Sequence, residues 1–384
     1  MLLVIPREVT PGETRVSLVP ETVSKLVKGG HQVAVETGAG TASSNTDEAY
    51  RQAGATIAPG PRETCEGAQV VVKVREPILH PTLGQHEAEL VPSEAVFISF
   101  LGRDANSDAV KRLAARNATA FSMEMIPRTS RAQKLDALSS MANIAGYKAA
   151  LIAANALPRY FPLLMTAAGT IPPARAFILG AGVAGLQAIA TCRRLGAQVE
   201  AFDVRPAVKE EVQSLGATFI GLELLTGEGV GEGGYAKELS EEHHKKEQEL
   251  IAQRLQAADV AITTAAIPGR KAPLLINRAM VEAMKPGSVI VDLAAETGGN
   301  CELTRPNETV EHHGVRIIGI VNAAASMPFD ASRLYSRNVH ALLQLMTTKE
   351  GELKLDWEDD IIRDSCIYRP QAAAASAAPA GRTS

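Results

Sequence analysis

The stretch that begins at Arg175 constrains the fold of this chain more than any other. An apolar run, ARAFIL, leads directly into Gly180-Ala181-Gly182-Val183-Ala184-Gly185, a G-x-G-x-x-G pattern. The glycines open a helical stretch, VAGLQAIATCRRLGA, and a second apolar run, QVEAFDV, follows with Asp203 near its end. In a chain with 31 glycines the pattern alone carries little weight. Between a strand and a helix it acquires a physical meaning. The first glycine permits a tight turn, the second lets the backbone approach a pyrophosphate, and the third lets helix and strand pack closely. The pyrophosphate then sits at the helix N-terminus, where unsatisfied N–H groups and the helix dipole favour an anion. These residues predict a dinucleotide site built on Gly180, Gly182, Val183 and Gly185; the alternative is a glycine turn in an unrelated α/β fold.

Asp203 stands close to the ~20-residue spacing at which an acidic side chain accepts the ribose hydroxyls. A carboxylate there repels a 2′-phosphate, so Asp203, with its neighbours Val204 and Arg205, favours NAD(H) over NADP(H). Arg205 complicates this choice because a guanidinium accommodates that phosphate. Its expected role is to stack near the adenine or to neutralise Asp203.

The rest of the chain alternates in the same manner. LLVIP, HQVAVE, QVVVKV, AVFISF and TAFSM are short β-branched runs, separated by helical stretches at Glu21–Lys28, Thr46–Ala53 and Ser107–Asn117. RAFILG, QVEAFD, TFIGL, VAITTA, SVIVDLA and VRIIGI form a second series, the six strands a doubly wound dinucleotide-binding sheet needs. Continuous apolar strands mean that helices cover both faces. The fold class is therefore α/β, with two Rossmann-like, doubly wound parallel-sheet domains joined by long helices. The expected boundaries are 1–130 plus 328–370 for a discontinuous N-terminal domain, 131–157 for a helical bridge, and 158–327 for the nucleotide-binding domain. A helix over Ala331–Met346 belongs to the returning segment. The small residues of QAAAASAAPAGRTS, within 371–384, predict a disordered tail.

Composition excludes several functions. Lys and Arg number 39 against 43 Asp and Glu, a net charge of −4, and aromatics are only 4%, so neither a basic surface nor stacking platforms for nucleic acid exist. Cys65, Cys192, Cys301 and Cys366 are far apart with no histidine at ligand spacing, and read as scattered buried thiols rather than a metal site. His243-His244-Lys245-Lys246 reads as a solvated helix face, and His312-His313 as a turn before the last strand. No long apolar run or secretory leader is present, so the chain is expected to be soluble and cytoplasmic. No G-x-S-x-G elbow or P-loop supports acyl or phosphoryl transfer. A second glycine cluster, Gly227 to Gly234 followed by Tyr235, carries glutamates that would oppose a phosphate. It reads as a lid over the cofactor, joined to a charged helix over Ala236–Ala257; the alternative is an ordinary solvent loop.

Several segments resemble the NAD(H)-binding, or alpha, component of proton-translocating NAD(P) transhydrogenases, almost throughout the chain. They are IPREVTPGETRVSLVP, PRTSRAQKLDALSS, MTAAGTIPPARAFILGAGVAGLQAIAT, GGYAKELS and VIVDLAAETGGNCELT. The resemblance implies that Arg128, Gln133, Asp136 and Ser139 hold the nicotinamide end, with Gln133, Arg128 and Asp136 serving the reaction itself. It also implies that Gly234 and Tyr235 close over the nucleotide, and that Thr264 and Ala265 lie along the crevice at the strand ends. The alternative for the 128–139 residues is a helix-cap network between domains.

Alanine dehydrogenases share this pattern, and Arg15 and Lys73 fall at positions that look like their substrate-binding pair. Two departures argue against that activity. Phe100-Leu101-Gly102 lacks the histidine those enzymes carry there, and Glu296 replaces their aspartate. Oxidising an amino acid needs a proton acceptor, which glycine cannot be, whereas hydride transfer between two nicotinamides needs only alignment of the rings. The partners implied are an NADP(H)-binding component and a membrane proton-channel component, with this chain a homodimer, cytoplasmic and peripheral on the inner face of the plasma membrane. The competing functions are an alanine-dehydrogenase-like oxidoreductase and a non-catalytic NAD(H)-sensing module.

Overall fold

The computed structural model describes residues 1–221, 241–266, 270–348 and 350–370, with the backbone alone at 241–244. The expected lid at Gly227–Tyr235 and the tail at 371–384 lie outside the described residues. The chain divides into two compact units: Met1–Pro11, Arg15–Asp136 and the chain from Tyr335 onward form one, and Gly12–Thr14 with Ala137–Leu334 form the other.

The first unit is built on β1 (Leu2–Ile5), β2 (Gln32–Glu36), β3 (Thr56–Ala58), β4 (Val70–Val72), β5 (Val96–Ser99) and β6 (Thr119–Ser122). These strands pair in parallel in the order β3-β2-β1-β4-β5-β6, with Leu3 opposite Val33 on one side and Val70 on the other. Helices α1 (Pro20–Lys28), α2 (Asp47–Gln52), α3 (Pro61–Cys65) and α4 (Asp108–Ala115) are the crossovers. Their starts follow local chemistry. Pro20 and Pro61 occupy first-turn positions where no N–H is needed. Thr46 and Ser107 each accept a backbone N–H, from Ala49 at 3.2 Å and Val110 at 3.3 Å. β5 and β6 are buried at every residue, as a parallel strand covered on both faces must be.

The second unit begins with α5 (Ala137–Ala156) and an antiparallel hairpin, β7 (Leu164–Thr166) and β8 (Gly169–Ile171). Its main sheet contains β9 (Arg175–Leu179), β10 (Gln198–Phe202), β11 (Thr218–Ile220), β12 (Val260–Thr263), β13 (Val289–Asp292), β14 (Thr309–His312) and β15 (Val315–Gly319). The order is β11-β10-β9-β12-β13-β15-β14, parallel except for β14. Helices α6 (Val183–Arg194), α7 (Lys209–Ser214), α8 (Glu241–Ala257) and α9 (Arg278–Glu282) connect the strands. Alternation along each strand separates two cores. Ala176, Ile178, Val260, Ile262, Val289 and Val291 face one, while Phe177, Leu179, Ala261 and Ile290 face the other. Each fully buried Val, Leu, Ile or Phe contributes about 1.5–3 kcal/mol relative to exposure.

The structure corrects three expectations. The helix drawn from Arg131 to Leu157 is two elements: a 3₁₀ turn at Ser130–Leu135, a break at Asp136 (ψ 85°), and then α5. The break follows from competing bonds, since Asn338 Nδ2 donates to the Lys134 carbonyl at 2.9 Å and Arg131 is held by Asp359 and Asp360. His312 is the last residue of β14, so the turn is His313-Gly314 rather than the His-His pair. The charged face around Lys245 belongs to a helix that also buries Glu247, Ile251 and Leu255. Past Leu345, the end of α10 (Pro328–Leu345), α11 (Asp360–Ser365) leads into β16 (Cys366–Tyr368), which pairs antiparallel with β6.

Gly146 marks the tightest packing of α5. A Cβ added there would stand 2.0 Å from the Ala184 carbonyl oxygen of α6. Gly146→Ala is expected to push the helices apart and destabilise the protein by about 1–3 kcal/mol, despite alanine's better helix propensity. Chemical denaturation measures this; an unchanged or raised midpoint would contradict the packing.

Candidate nucleotide site

The carboxyl ends of β9, β10 and β12 meet where the strand order reverses, the place at which open α/β sheets bind ligands. Gly180, directly after β9, has φ +99°, and a Cβ there would stand 2.6 Å from Thr264 Oγ1. Its N–H donates to the Phe202 carbonyl at 2.8 Å. At Gly185 a Cβ would stand 1.8 Å from the Gly180 carbonyl oxygen, so only glycine lets α6 rise this close to β9.

Gly182 differs in kind. Its φ of −77° is open to any residue, and a Cβ there meets nothing within 4 Å. No packing within the described residues requires glycine at that point. It is also the N-cap of α6 and supplies no side-chain acceptor to the first-turn N–H groups. A glycine with open space in front, at an uncapped helix start, fits a ligand that approaches the backbone with an anionic group. Val183 beside it is 40% exposed.

Asp203, just past the end of β10, is buried at 7% exposure. One carboxylate oxygen accepts the Ala181 N–H at 2.8 Å and a terminal nitrogen of Arg205 at 2.8 Å. The other accepts the Arg205 N–H and Nε, each at 2.9 Å. Arg205 therefore neutralises Asp203, one of its two expected roles, and Asp203 also ties the glycine turn to β10. A carboxylate offers about four lone-pair sites, and all four are engaged here.

Thr264, next after β12, bonds the Gly180 carbonyl through Oγ1 at 3.1 Å. The Ala265 N–H donates to Asn300 Oδ1 at 3.1 Å, and Asn300 Nδ2 donates back to the Ala265 carbonyl at 2.8 Å. Asn300 is fully buried and its own N–H donates to Asp292 at 2.8 Å. Asp292, at the end of β13, also accepts from Ala294, Cys301 and Thr304. Asn300 and Asp292 position the crevice wall, and sequence reasoning did not single them out. The available signal was Asn300 after the Gly298-Gly299 pair, since Gly299 has φ +78° and a Cβ there would stand 2.9 Å from Asp292.

The structure brings Gly180, Gly182, Val183, Gly185, Asp203, Val204, Arg205, Thr264 and Ala265 to one end of the second sheet. Gly234 and Tyr235 lie outside the described residues. Arg128, Gln133 and Asp136 belong to the first unit, whereas Ser139 opens α5 in the second. Arg128 and Gln133 are exposed on a loop anchored by buried Ala132 and Leu135. Arg131 fixes that loop through both carboxylate oxygens of Asp359, at 2.6 and 2.7 Å.

The corresponding strand ends of the first sheet hold charges instead of glycines. Lys73 follows β4, is 1% exposed, and lies against Glu87 and 3.6 Å from Glu8. Burial alone would depress this ammonium, but the two carboxylates overcome it and hold it above its ordinary value. Arg15 is buried with its guanidinium 6.0 Å from the Phe100 ring centre. Gly102, where a histidine would be needed, has φ +70° and donates its N–H to Glu124. All four thiols are raised by burial, Cys65 and Cys192 to about 12 and Cys301 and Cys366 to about 11, so none is a reactive thiolate.

The two glycines predict opposite outcomes. Gly182→Ala should leave the unfolding midpoint nearly unchanged and lower NADH affinity at least about 10-fold, because the methyl fills the ligand's space. Gly185→Ala should lower stability first. Fluorescence titration with NADH, beside thermal denaturation of both variants, checks this; full affinity in a folded Gly182→Ala would remove Gly182 from the site.

Comparison with known proteins agrees with this architecture. Residues 4–145 match the N-terminal domain model, and residues 149–373 the C-terminal domain model, of the alanine dehydrogenase/PNT family. The first of the separately encoded pieces of NAD(P) transhydrogenase subunit alpha in Rhodospirillum rubrum is 47% identical over 373 residues, covering 96% of each chain. The crystal structure of transhydrogenase from Sinorhizobium meliloti superposes with a TM-score of 0.85 at 42% identity, covering 96% of this chain and 99% of that one. Alanine dehydrogenase of Bacillus subtilis is more distant, 31% identical over 362 residues, or 92% of this chain and 87% of that one. With both halves of the chain matched, it belongs to the alanine dehydrogenase/PNT family.

Proposed function

We propose that this chain is the NAD(H)-binding component of a proton-translocating NAD(P) transhydrogenase. It passes hydride directly between NAD(H) held here and NADP(H) held on a partner component. The observation that carries the choice within the family is Gly102. The loop after β5 offers a backbone N–H to Glu124 where an amino-acid dehydrogenase needs an imidazole, and glycine moves no proton. Lys73 supports the same choice, because Glu8 and Glu87 already balance its charge. The similarity to transhydrogenase alpha subunits across 96% of the chain supports it further.

In this reading the pyrophosphate lies against Gly182, Val183 and the start of α6, and Thr264 and Ala265 border the nicotinamide half of the cofactor. The ribose diol takes Asp203 in exchange for part of the Arg205 fork. Arg128, Gln133, Asp136 and Ser139 serve the nicotinamide end, and Gly234 and Tyr235 cover the bound nucleotide. NAD(H) supplies the hydride chemistry when bound; the chain aligns and dehydrates the ring but moves no proton. None of the described helices is long and apolar enough to cross a membrane, so a separate membrane component would carry the proton path, with this chain peripheral on the cytoplasmic face. A homodimer is proposed as well, because Leu163, Met165 and Ile171 in and beside the β7–β8 hairpin are 51%, 78% and 36% exposed.

Two experiments test this reading. Asp203→Asn should weaken NADH binding about 10–150-fold, the equivalent of ~1.5–3 kcal/mol for charge-assisted hydrogen bonds, whereas Arg205→Ala should leave NADH binding equal or tighter. If isothermal titration finds that Arg205→Ala loses NADH as severely as Asp203→Asn does, Arg205 itself holds the nucleotide and the exchange is wrong. The purified chain alone should show no transhydrogenation, and rapid hydride exchange should appear on adding an NADP(H)-binding partner. Gln133→Asn should keep NADH affinity within severalfold and slow single-turnover transfer about 100-fold, the effect of a displacement near 1 Å at the reacting atoms. Stopped-flow measurement decides: lost binding with an unchanged transfer rate would make Gln133 a ground-state contact only. Consumption of NADH with pyruvate and ammonium would favour an alanine-dehydrogenase activity instead.

A further inference from the structure

The other end of the second sheet carries a cluster that the nucleotide chemistry does not use. Strands β14 and β15 are joined by His313-Gly314, with His312 paired opposite Val315. Both loop residues have positive φ, 50° and 73°. That is the signature of a type I′ turn, whose first position favours Asn or Asp. Side chains of consecutive strand residues point to opposite faces, but the left-handed backbone at His313 folds its ring back beside His312. The ring centroids stand 4.8 Å apart. Glu282, the last residue of α9, closes the group, with its carboxylate 2.8 Å from His312 Nε2. One ligand atom from each of the three residues lies within 4.8 Å of the others.

We infer that Glu282, His312 and His313 form a binding site for a divalent transition-metal ion of the zinc type. Tetrahedral coordination with bonds of about 2.0–2.1 Å sets ligand atoms roughly 3.3 Å apart. The present separations, from 2.8 Å to at most 4.8 Å, reach that value by side-chain rotation alone. Two imidazoles and one carboxylate suit Zn²⁺, Cu²⁺ or Ni²⁺ and disfavour Mg²⁺ or Ca²⁺, which want more oxygen ligands. Two of the ligands are held in place: His312 by the β14–β15 ladder, and Glu282 by α9, whose N-cap Asn277 accepts the Met280 N–H. His312 and Glu282 side chains are 24% and 37% exposed, so the ion enters from solvent and keeps water in its remaining positions. Arg278, one turn earlier on α9, adds a positive charge that moderates the affinity.

The turn lies at the amino end of β15, opposite the strand ends that carry Gly180 and Thr264. Metal binding and NADH binding should therefore be independent, and the test separates them. Isothermal titration of the full chain with Zn²⁺ should give one ion per chain, with no response to Mg²⁺. His313→Asn puts the residue a type I′ turn prefers in that position, so the fold is kept while a ligand is lost. It should weaken Zn²⁺ binding about 10-fold or more and leave NADH affinity unchanged, and Glu282→Gln should do the same. A His243→Ala, His244→Ala double variant should still bind one ion. Absence of Zn²⁺ binding at micromolar concentration overturns the site. So does equal affinity in His313→Asn and the unaltered chain, or loss of binding in the His243, His244 double variant.

Discussion

The close approach of one backbone to another at the start of α6 is the constraint on which the nucleotide-binding unit depends. A Cβ at Gly185 would fall 1.8 Å from the Gly180 carbonyl oxygen, and a Cβ at Gly146 would fall 2.0 Å from that of Ala184. Both contacts involve backbone atoms, which cannot move aside by changing rotamer. They seat α6 against β9 on one side and α5 on the other, so the helix N-terminus is held by main chain rather than by a deformable side-chain layer. Thr264 Oγ1 adds a bond to the Gly180 carbonyl, and Asp203 holds the Ala181 N–H. The turn is thus fixed by its own strand and both neighbouring strands. Gly182, with space in front of it, is what this rigidity leaves for a ligand.

The two sheets share one topology and diverge in chemistry. Both place their first six strands in the order 3-2-1-4-5-6, and both end in an antiparallel edge strand, β16 in one and β14 in the other. No repeat of short period in the sequence announces this. The pairing order arises from sterics and hydrophobic patterning that many sequences satisfy, whereas a phosphate site needs glycines at fixed offsets. In the first unit the end of β4 carries Lys73 between two carboxylates, and β1 leads into Pro6 rather than a glycine turn. A buried ammonium so balanced is costly to disturb, since removing either carboxylate strands an uncompensated charge.

The central strands were legible because burial on both faces turns them into unbroken apolar runs. LLVI, VFIS and VIVD could be read directly. The edges were not. TVEH of β14 and CIY of β16 are half solvated, have mixed polarity, and are strands only because a neighbour offers a free ladder. The break at Asp136 was equally hidden, because the bonds that compete with the helix come from Asn338, Asp359 and Asp360, more than two hundred residues further along the chain. Within the candidate site, the glycine offsets and Asp203 were visible as local pattern. Asn300 and Asp292 were invisible as positioning residues, since their role depends on the two strands and the intervening turn converging in space.

The Asp203–Arg205 pair shows why a residue list falls short of a binding mechanism. An acidic residue at the end of β10 predicts preference for an unphosphorylated ribose, and an arginine two residues on predicts the reverse. The geometry reconciles them. Arg205 bonds both oxygens of Asp203 through its fork and donates its own N–H as well. Its charge is thereby committed to the carboxylate. A 2′-phosphate would have to draw Arg205 away while facing the Asp203 charge exposed by that withdrawal. A ribose diol needs only lone pairs, which partial displacement of the fork releases, and the displaced guanidinium, already 20% exposed, turns into solvent at small desolvation cost. The pair therefore discriminates through what each ligand must disrupt before it gains a contact, a property neither residue has alone.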